Sequence, residues 1–197
     1  CRAAVLEQSG GKLYYMHIQS MNIPSLERFE RELWRDAAPY EGLVLDVRGN
    51  GGGHIATFLL EALERRAYAY RQNRGEERPE VSPSRVWRKP TVLLMDEGSA
   101  SNSEIFASGF RDFGLGKIVG TPTDAGVIGT SDRTLFDGRT TIRVPFVWVR
   151  RLDGTTMENT AVMPDILVPI GVKDILSRKD IQLERAVKEC MDAVRRG

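Results

Sequence analysis

Two short, unbroken apolar runs, "GLVLDV" at 42–47 and "TVLLMD" at 91–96, constrain this chain more than any other feature. A strand with one wet face alternates polar and apolar residues, whereas a continuous run is covered on both faces. Each run is followed by turn residues and then by helical spacing. After the first come "RGNGGG" and then Ile55, Leu59 and Leu63, with Ala62 beside them; after the second come a corner of small residues and a helix over 102–113. Upstream, "KLYYMHIQS" has strand composition, and "SLERFERELW" places Leu26, Phe29 and Leu33 on one helical face with Ser25 as a candidate N-cap. Three successive strand-then-helix units predict an α/β fold with a mainly parallel sheet covered by helices.

The remaining segments are read differently. The polar stretch from about 71 to 90 contains prolines and reads as a surface excursion. "RTLFDGRTTIRVPFVWVRRLDGTT" alternates around Asp137-Gly138, a two-residue hairpin signal, and so predicts an antiparallel pair. In "QLERAVKECMDAV" the residues Leu183, Val187, Cys190 and Val194 form one stripe of a terminal helix. A chain of 197 residues with 41% hydrophobic content is expected to build one core, so a single domain over 1–197 is expected. The start of the chain reads as strand-like, and Cys1 as a truncation point rather than a lipidated residue.

Charge and cysteine content narrow the partners. The 28 basic and 27 acidic residues leave a net charge of +1, so no overall field draws nucleic acid or an anionic membrane. The arginines of "RRAYAYRQNRGEERPE" are interleaved with glutamates and read as a solvated face rather than a phosphate groove. No apolar run approaches the roughly 18 residues of a membrane span. The start carries no signal-peptide pattern; the compartment stays open, with the cytoplasm slightly favoured over a periplasmic or other extracytoplasmic setting. Cys1 and Cys190 supply neither a disulfide framework nor metal-ligand spacing, and neither a metal nor a cofactor is expected.

Ligands of open α/β sheets collect at the carboxyl ends of the strands. Two such ends stand out. In "DVRGNGGG" (46–53) three consecutive glycines let the backbone approach a ligand and present N–H groups, as a developing oxyanion requires. The Lys-Ser/Thr of a phosphate loop is missing, since His54-Ile55 stands there. On its own the run also fits a flexible turn. In "DEGSASNSEIF" (96–106) a serine at a strand-to-helix turn fits a nucleophile, while for an isolated serine the more ordinary role of Ser99, Ser101 or Ser103 is a helix N-cap.

These motifs, followed by "GLGKIVGTPT" and "ENTAVMPDILV", stand in the order found in carboxyl-terminal processing proteases, and the chain most resembles the tricorn-type branch from "GGKLYYMHI" to the last helix. The resemblance implies a β/α spiral core of the crotonase/ClpP kind, with Ser101 as nucleophile and the backbone N–H groups of Gly53 and Asn102 as oxyanion hole. Glu158 becomes the carboxylate that orients a histidine. Gly52, together with Gly126 and Val127 in the segment "GVIGT", would line an extended peptide, and Arg71 would favour acidic substrate residues. The implied partners are a peptide or unfolded protein tail and further copies of the chain; the implied chemistry is peptide-bond hydrolysis.

One departure accompanies the resemblance. Many processing proteases pair the serine with a lysine in the loop after "KIVG", but here that loop, "TPTDAGVIGT", has none. Lys117 reads as an exposed edge residue before the strand. Of the two histidines, His17 reads as a core or edge residue and His54 as a packing residue at a helix start. The resemblance to the tricorn-type branch implies instead a general-base histidine from a segment outside this chain, upstream of a PDZ-type module. Noncatalytic peptide or ligand binding and acyl-CoA chemistry are the alternatives on the same fold, because a glycine-rich oxyanion loop serves either carbonyl.

Overall fold

The computed structural model describes residues 1–197. In chain order the elements are α1 (Arg2–Gln8), β1 (Leu13–His17), α2 (Ile23–Arg31), β2 (Gly42–Asp46) and α3 (Ala56–Glu64), then the hairpin of β3 (Ala69–Arg71) and β4 (Glu80–Ser82). There follow β5 (Thr91–Met95), α4 (Asn102–Asp112), β6 (Gly116–Gly120), the hairpin of β7 (Ile128–Thr134) and β8 (Thr141–Trp148), β9 (Ile166–Leu167), α5 (Val172–Ser177) and α6 (Ile181–Arg196).

The apolar runs do become strands buried on both faces. Every residue of β2 and of β5 is buried. Together with β1, β6 and β9 they form a five-stranded parallel sheet in the order β1-β2-β5-β6-β9. Side chains alternate between its two faces. Tyr14, Met16, Leu43, Leu45, Leu93, Met95 and Ile118 meet Phe29, Leu33, Leu59, Phe106 and Phe110 from α2, α3, α4 and the π turn (Glu32–Asp36) that continues α2. Leu13, Tyr15, Val44, Val92, Leu94 and Val119 meet Val5 of α1 and Leu183, Val187 and Cys190 of α6. A one-residue slip would exchange the two sets, so helices on both sides fix the register. Burial pushes the Cys190 thiol up to about 12, as expected of a packing residue rather than a reactive one.

Several local expectations are corrected. The chain starts with a helix, α1, whose Val5 is buried, rather than with strand-like sequence. Asn22, not Ser25, caps α2: its side chain accepts the Ser25 N–H at 3.0 Å, and Pro24 in the first turn suits a position where no N–H is required. The excursion at 71–90 overlaps the β3–β4 hairpin, which the sparse apolar pattern did not reveal. Lys117 lies inside β6 rather than before it, although exposed. The Asp137-Gly138 hairpin is present as β7–β8. No helix is long and apolar enough to cross a membrane.

Candidate active site

Parallel pairing brings the carboxyl ends of β2 and β5 side by side, with Asp46 opposite Leu94, so the two turns that leave them meet. Short polar residues tie them together. Asp96 Oδ1 accepts the N–H groups of Gly49 at 2.8 Å and Gly98 at 3.0 Å. Ser99 Oγ donates to the Val47 carbonyl at 2.9 Å, and the Ala100 N–H donates to the Asn50 carbonyl at 2.9 Å. Asn50, fully buried, donates through Nδ2 to the Ile18 carbonyl at 2.8 Å and accepts the Gly52 N–H at 3.0 Å. Asn50 and Asp96 escaped the sequence reading; their only signal is that both can cap a turn from within a motif.

At the end of this scaffold Ser101 occupies the N-cap position of α4 with φ 54 and ψ −121. Positive φ in a non-glycine residue costs about 1–3 kcal/mol and persists only where the surroundings over-determine it. Here the Ser101 N–H donates both to the Gly126 carbonyl and to Glu104 Oε1, each at 3.0 Å. The Ser101 hydroxyl makes no capping bond and is left for other chemistry. Ser99 and Ser103 are not the caps: Ser99 is engaged with Val47, and the buried Ser103 Oγ has no partner.

The glycine run faces this serine. Gly52 has φ 102, and a Cβ there would lie 2.7 Å from Ser101 Cβ and 3.0 Å from the Asn102 nitrogen. Side-chain absence at Gly52 is therefore what lets the glycine bend lie against the Ser101–Asn102 peptide. Gly53 is backed by Met21, whose carbonyl oxygen would collide with any Cβ at that position. The N–H groups of Gly53 and Asn102 make no hydrogen bond within the protein. The Asn102 side chain has a second task, accepting the Ala56 N–H at 2.8 Å and so fastening the start of α3 to that of α4.

Glu158 joins the corner through the loop before β7. Its Oε2 accepts the Val127 N–H at 2.6 Å, one residue along from the Gly126 carbonyl that holds Ser101. The Asn159 N–H donates to the Ala125 carbonyl at 2.8 Å, pinning the two segments together. Gly126 and Val127 sit where an extended substrate was expected, but their N–H groups are taken by Glu104 and Glu158. Arg71 lies on the exposed β3–β4 hairpin, whose strands pair only with each other, so the structure does not bring it to the corner. His17 Nε2 contacts the Arg48 carbonyl at 3.1 Å, His54 is exposed, and neither ring bonds to Ser101 or Glu158. No group of three or more His, Cys, Asp or Glu side chains converges to hold a metal ion.

Behind the glycine turn lies a charged anchor. Arg48 donates to Asp46 at 2.7 Å and to Asp180 at 2.8 Å, and the Tyr15 hydroxyl donates to Asp46 at 2.8 Å. Burial disfavours the charge on Arg48, yet hydrogen bonds to Asp180 and Asp46 outweigh it and hold the guanidinium protonated. Burial likewise opposes the Asp180 charge, but Arg48 and the Leu183 N–H keep its carboxyl below the ordinary range. Burial and the neighbouring Asp46 push the Tyr15 hydroxyl up. The network ties the end of β2 to the N-terminus of α6, where Asp180 is also the cap.

A serine fixed on a strained strand-to-helix turn, against a glycine bend with unused amide hydrogens, has the geometry of a serine hydrolase that works through an acyl-enzyme. Comparison with known proteins narrows that class. The family described as "Peptidase family S41" matches residues 12–168, and the chain belongs to it. It is 34% identical over 196 residues to the tricorn protease of Thermoplasma acidophilum, which covers 98% of this chain and 18% of that protein. It is 36% identical over 194 residues to tricorn protease homolog 1 of Streptomyces coelicolor, with the same coverage of 98% and 18%. The crystal structure of the tricorn protease superposes with a TM-score of 0.85 at 31% identity, covering 98% of this chain and 19% of that one. The chain thus spans about a fifth of the length of these relatives. The fold is that of the S41 proteases, a mostly parallel sheet with antiparallel hairpins, and within the family the chain is similar to tricorn and carboxyl-terminal processing proteases. The binding-module and acyl-CoA alternatives are not favoured.

Proposed function

We propose that residues 1–197 form one catalytic unit that cleaves peptide bonds in peptides or unfolded protein tails, with Ser101 as nucleophile. In this reading Ser101 Oγ attacks the scissile carbonyl carbon and gives up its proton to a base. The carbonyl electrons move onto oxygen, where the N–H groups of Gly53 and Asn102 receive the oxyanion. Collapse expels the protonated amine, and water then repeats the sequence on the acyl-enzyme. Each such donor is worth on the order of 3 kcal/mol of barrier. The base is a histidine from outside these 197 residues, oriented by Glu158, since neither His17 nor His54 bonds to the serine.

The observation that carries the proposal is the strained Ser101 with a free hydroxyl beside two unused amides. Gly52 keeps the space in front of it open. The substrate would contact the walls formed by Gly126 and Val127, not their N–H groups, and Arg71 would act only where a long substrate reaches the outlying hairpin. Similarity to tricorn proteases supports self-association of the complete protein.

In the full-length protein a fluorophosphonate probe is expected to label Ser101, and Ser101→Ala to abolish both labelling and peptide cleavage. Labelling that persists in Ser101→Ala, or an unlabelled Ser101 in a folded, complete protein, would remove the basis for the assignment.

A further inference from the structure

Glu104 accepts four donors at this corner, and the acyl-transfer scheme gives it no task. A glutamate at the third position of a helix ordinarily returns to the N-cap amide at the surface, as half of a capping box. Glu104 does return to the Ser101 N–H, at 3.0 Å, but its side chain is fully buried and reaches well beyond its own helix. The same Oε1 accepts the Gly126 N–H at 2.9 Å, while Oε2 accepts the Ala125 N–H at 2.9 Å and the Thr123 hydroxyl at 2.5 Å. Thr123 Oγ1 in turn accepts the Val162 N–H at 2.8 Å. One side chain therefore fastens the nucleophile turn, the loop at 123–126 and, through Thr123, the segment that follows Glu158.

A buried carboxylate costs several kcal/mol unless donors surround it, and a helix cap alone is satisfied by an exposed residue. The explanation lies in what Glu104 holds. Ser101 has two partners for its N–H, and both depend on this carboxylate: one is Glu104 itself, and the other is the carbonyl of Gly126, whose own N–H is bound to Glu104. The next amide along, that of Val127, carries Glu158.

We propose that Glu104 is a positioning residue for acyl transfer: it locks Ser101 in its strained backbone conformation and holds the loop from which Glu158 is oriented. The proposal rests on the serine-peptidase reading above. Glutamine at this position keeps one acceptor oxygen and replaces the other with a donor, so in either orientation two protein donors face an NH2 group. Freed of one clamp, Ser101 relaxes and the Glu158 loop slackens. Such a change acts on the transition state rather than on ground-state binding, and so on kcat rather than KM.

The test uses the full-length protein with Glu104→Gln, Thr123→Val, Glu158→Gln and the Glu104→Gln/Glu158→Gln double variant, followed by the rate of fluorophosphonate labelling and by kcat and KM for a peptide. Glu104→Gln is expected to slow labelling and kcat by about tenfold or more with KM within about twofold, and to lose only about threefold further in the Glu158→Gln background, because part of its action runs through Glu158. Thr123→Val, which removes one donor and leaves the carboxylate, is expected to slow kcat by about two- to fivefold with the same unchanged KM. Wild-type labelling and kcat in Glu104→Gln, a loss confined to KM, or a loss that multiplies in full with Glu158→Gln overturns the proposal. Should Glu104→Gln not fold, Thr123→Val with wild-type kcat and labelling overturns it instead. A Ser101→Ala control that still labels counts against the peptidase reading, not against Glu104 alone.

Discussion

The corner formed by residues 46–56 and 96–104 and the hairpin of β7 and β8 are built from similar materials to opposite ends. Both are turns rich in polar residues that carry glycine at the bend. In the corner, Asn50 and Glu104 are fully buried and bonded to groups far away in sequence, while the N–H groups of Gly53 and Asn102, proposed for the oxyanion, stay unused. In the hairpin, every residue of β8 is exposed, including Phe146 and Trp148, and the tip is held by Asp137 bonding to its own neighbours Arg139 and Thr140. Those local bonds, the Thr140 hydroxyl first, draw the Asp137 carboxyl down to about 2. Preorganisation thus comes from long-range partners: a turn closed only by its neighbours is free to move as a piece, whereas one closed by distant segments is not.

If that contrast is right, the largest effect should follow from cutting the anchor behind the corner. Arg48→Met leaves Asp46 and Asp180 without their shared cation, and is expected to cost about 3–5 kcal/mol of stability in chemical denaturation. A stability change within error would mean that the corner does not depend on this network. The same pair sets an acid limit. The Asp180 carboxyl is lower in the folded chain than its unfolded value of about 4, so its contribution is present in full above that pH and drains away as pH falls below it. The stability difference between wild type and Asp180→Asn should therefore be constant near neutrality and shrink in acid; a difference that grows in acid would reverse the sign argued here.

A single methyl group should break the corner itself. Gly52→Ala places a Cβ 2.7 Å from that of Ser101, in a backbone region that alanine rarely adopts. Labelling of Ser101 is expected to fall by about a hundredfold, equivalent to roughly 2.7 kcal/mol of barrier, while the fold persists by circular dichroism. Unchanged reactivity would place the glycine bend and the serine further apart than they stand. The smallest effect belongs to the hairpin. Phe136→Ser, at a fully exposed position of the tip, should shift Tm by less than about 2 °C. A larger shift would show that the tip is covered in the complete protein and that its isolation is only apparent.

The alternation of strand and helix was legible because burial leaves a local mark: β2 and β5 are apolar at every position, and α6 repeats its stripe of Leu183, Val187 and Cys190. The β3–β4 hairpin left no such mark, since β3 is wholly exposed and β4 no more than half-buried. Ser101 was legible as a residue at a corner, and only the resemblance to processing proteases separated it from Ser99 and Ser103. Glu104 was hidden by its own spacing, since Ser-x-x-Glu at a helix start reads as a complete local motif. Its partners Ala125 and Gly126 lie more than twenty positions away, and no periodicity points to them.

Although α1 and the β3–β4 hairpin left no mark, local pattern was enough to establish the strands buried on both faces, the amphipathic helices that cover them, and the small residues that punctuate the carboxyl ends of two strands. Those properties depend on side-chain chemistry repeated at the period of a single element. Which backbone amides find partners and which stay free is set between segments, in the assembled fold. A hydrogen bond is settled by distance and angle between segments, and the segments near residues 50, 101, 126 and 158 become neighbours only when the sheet has assembled.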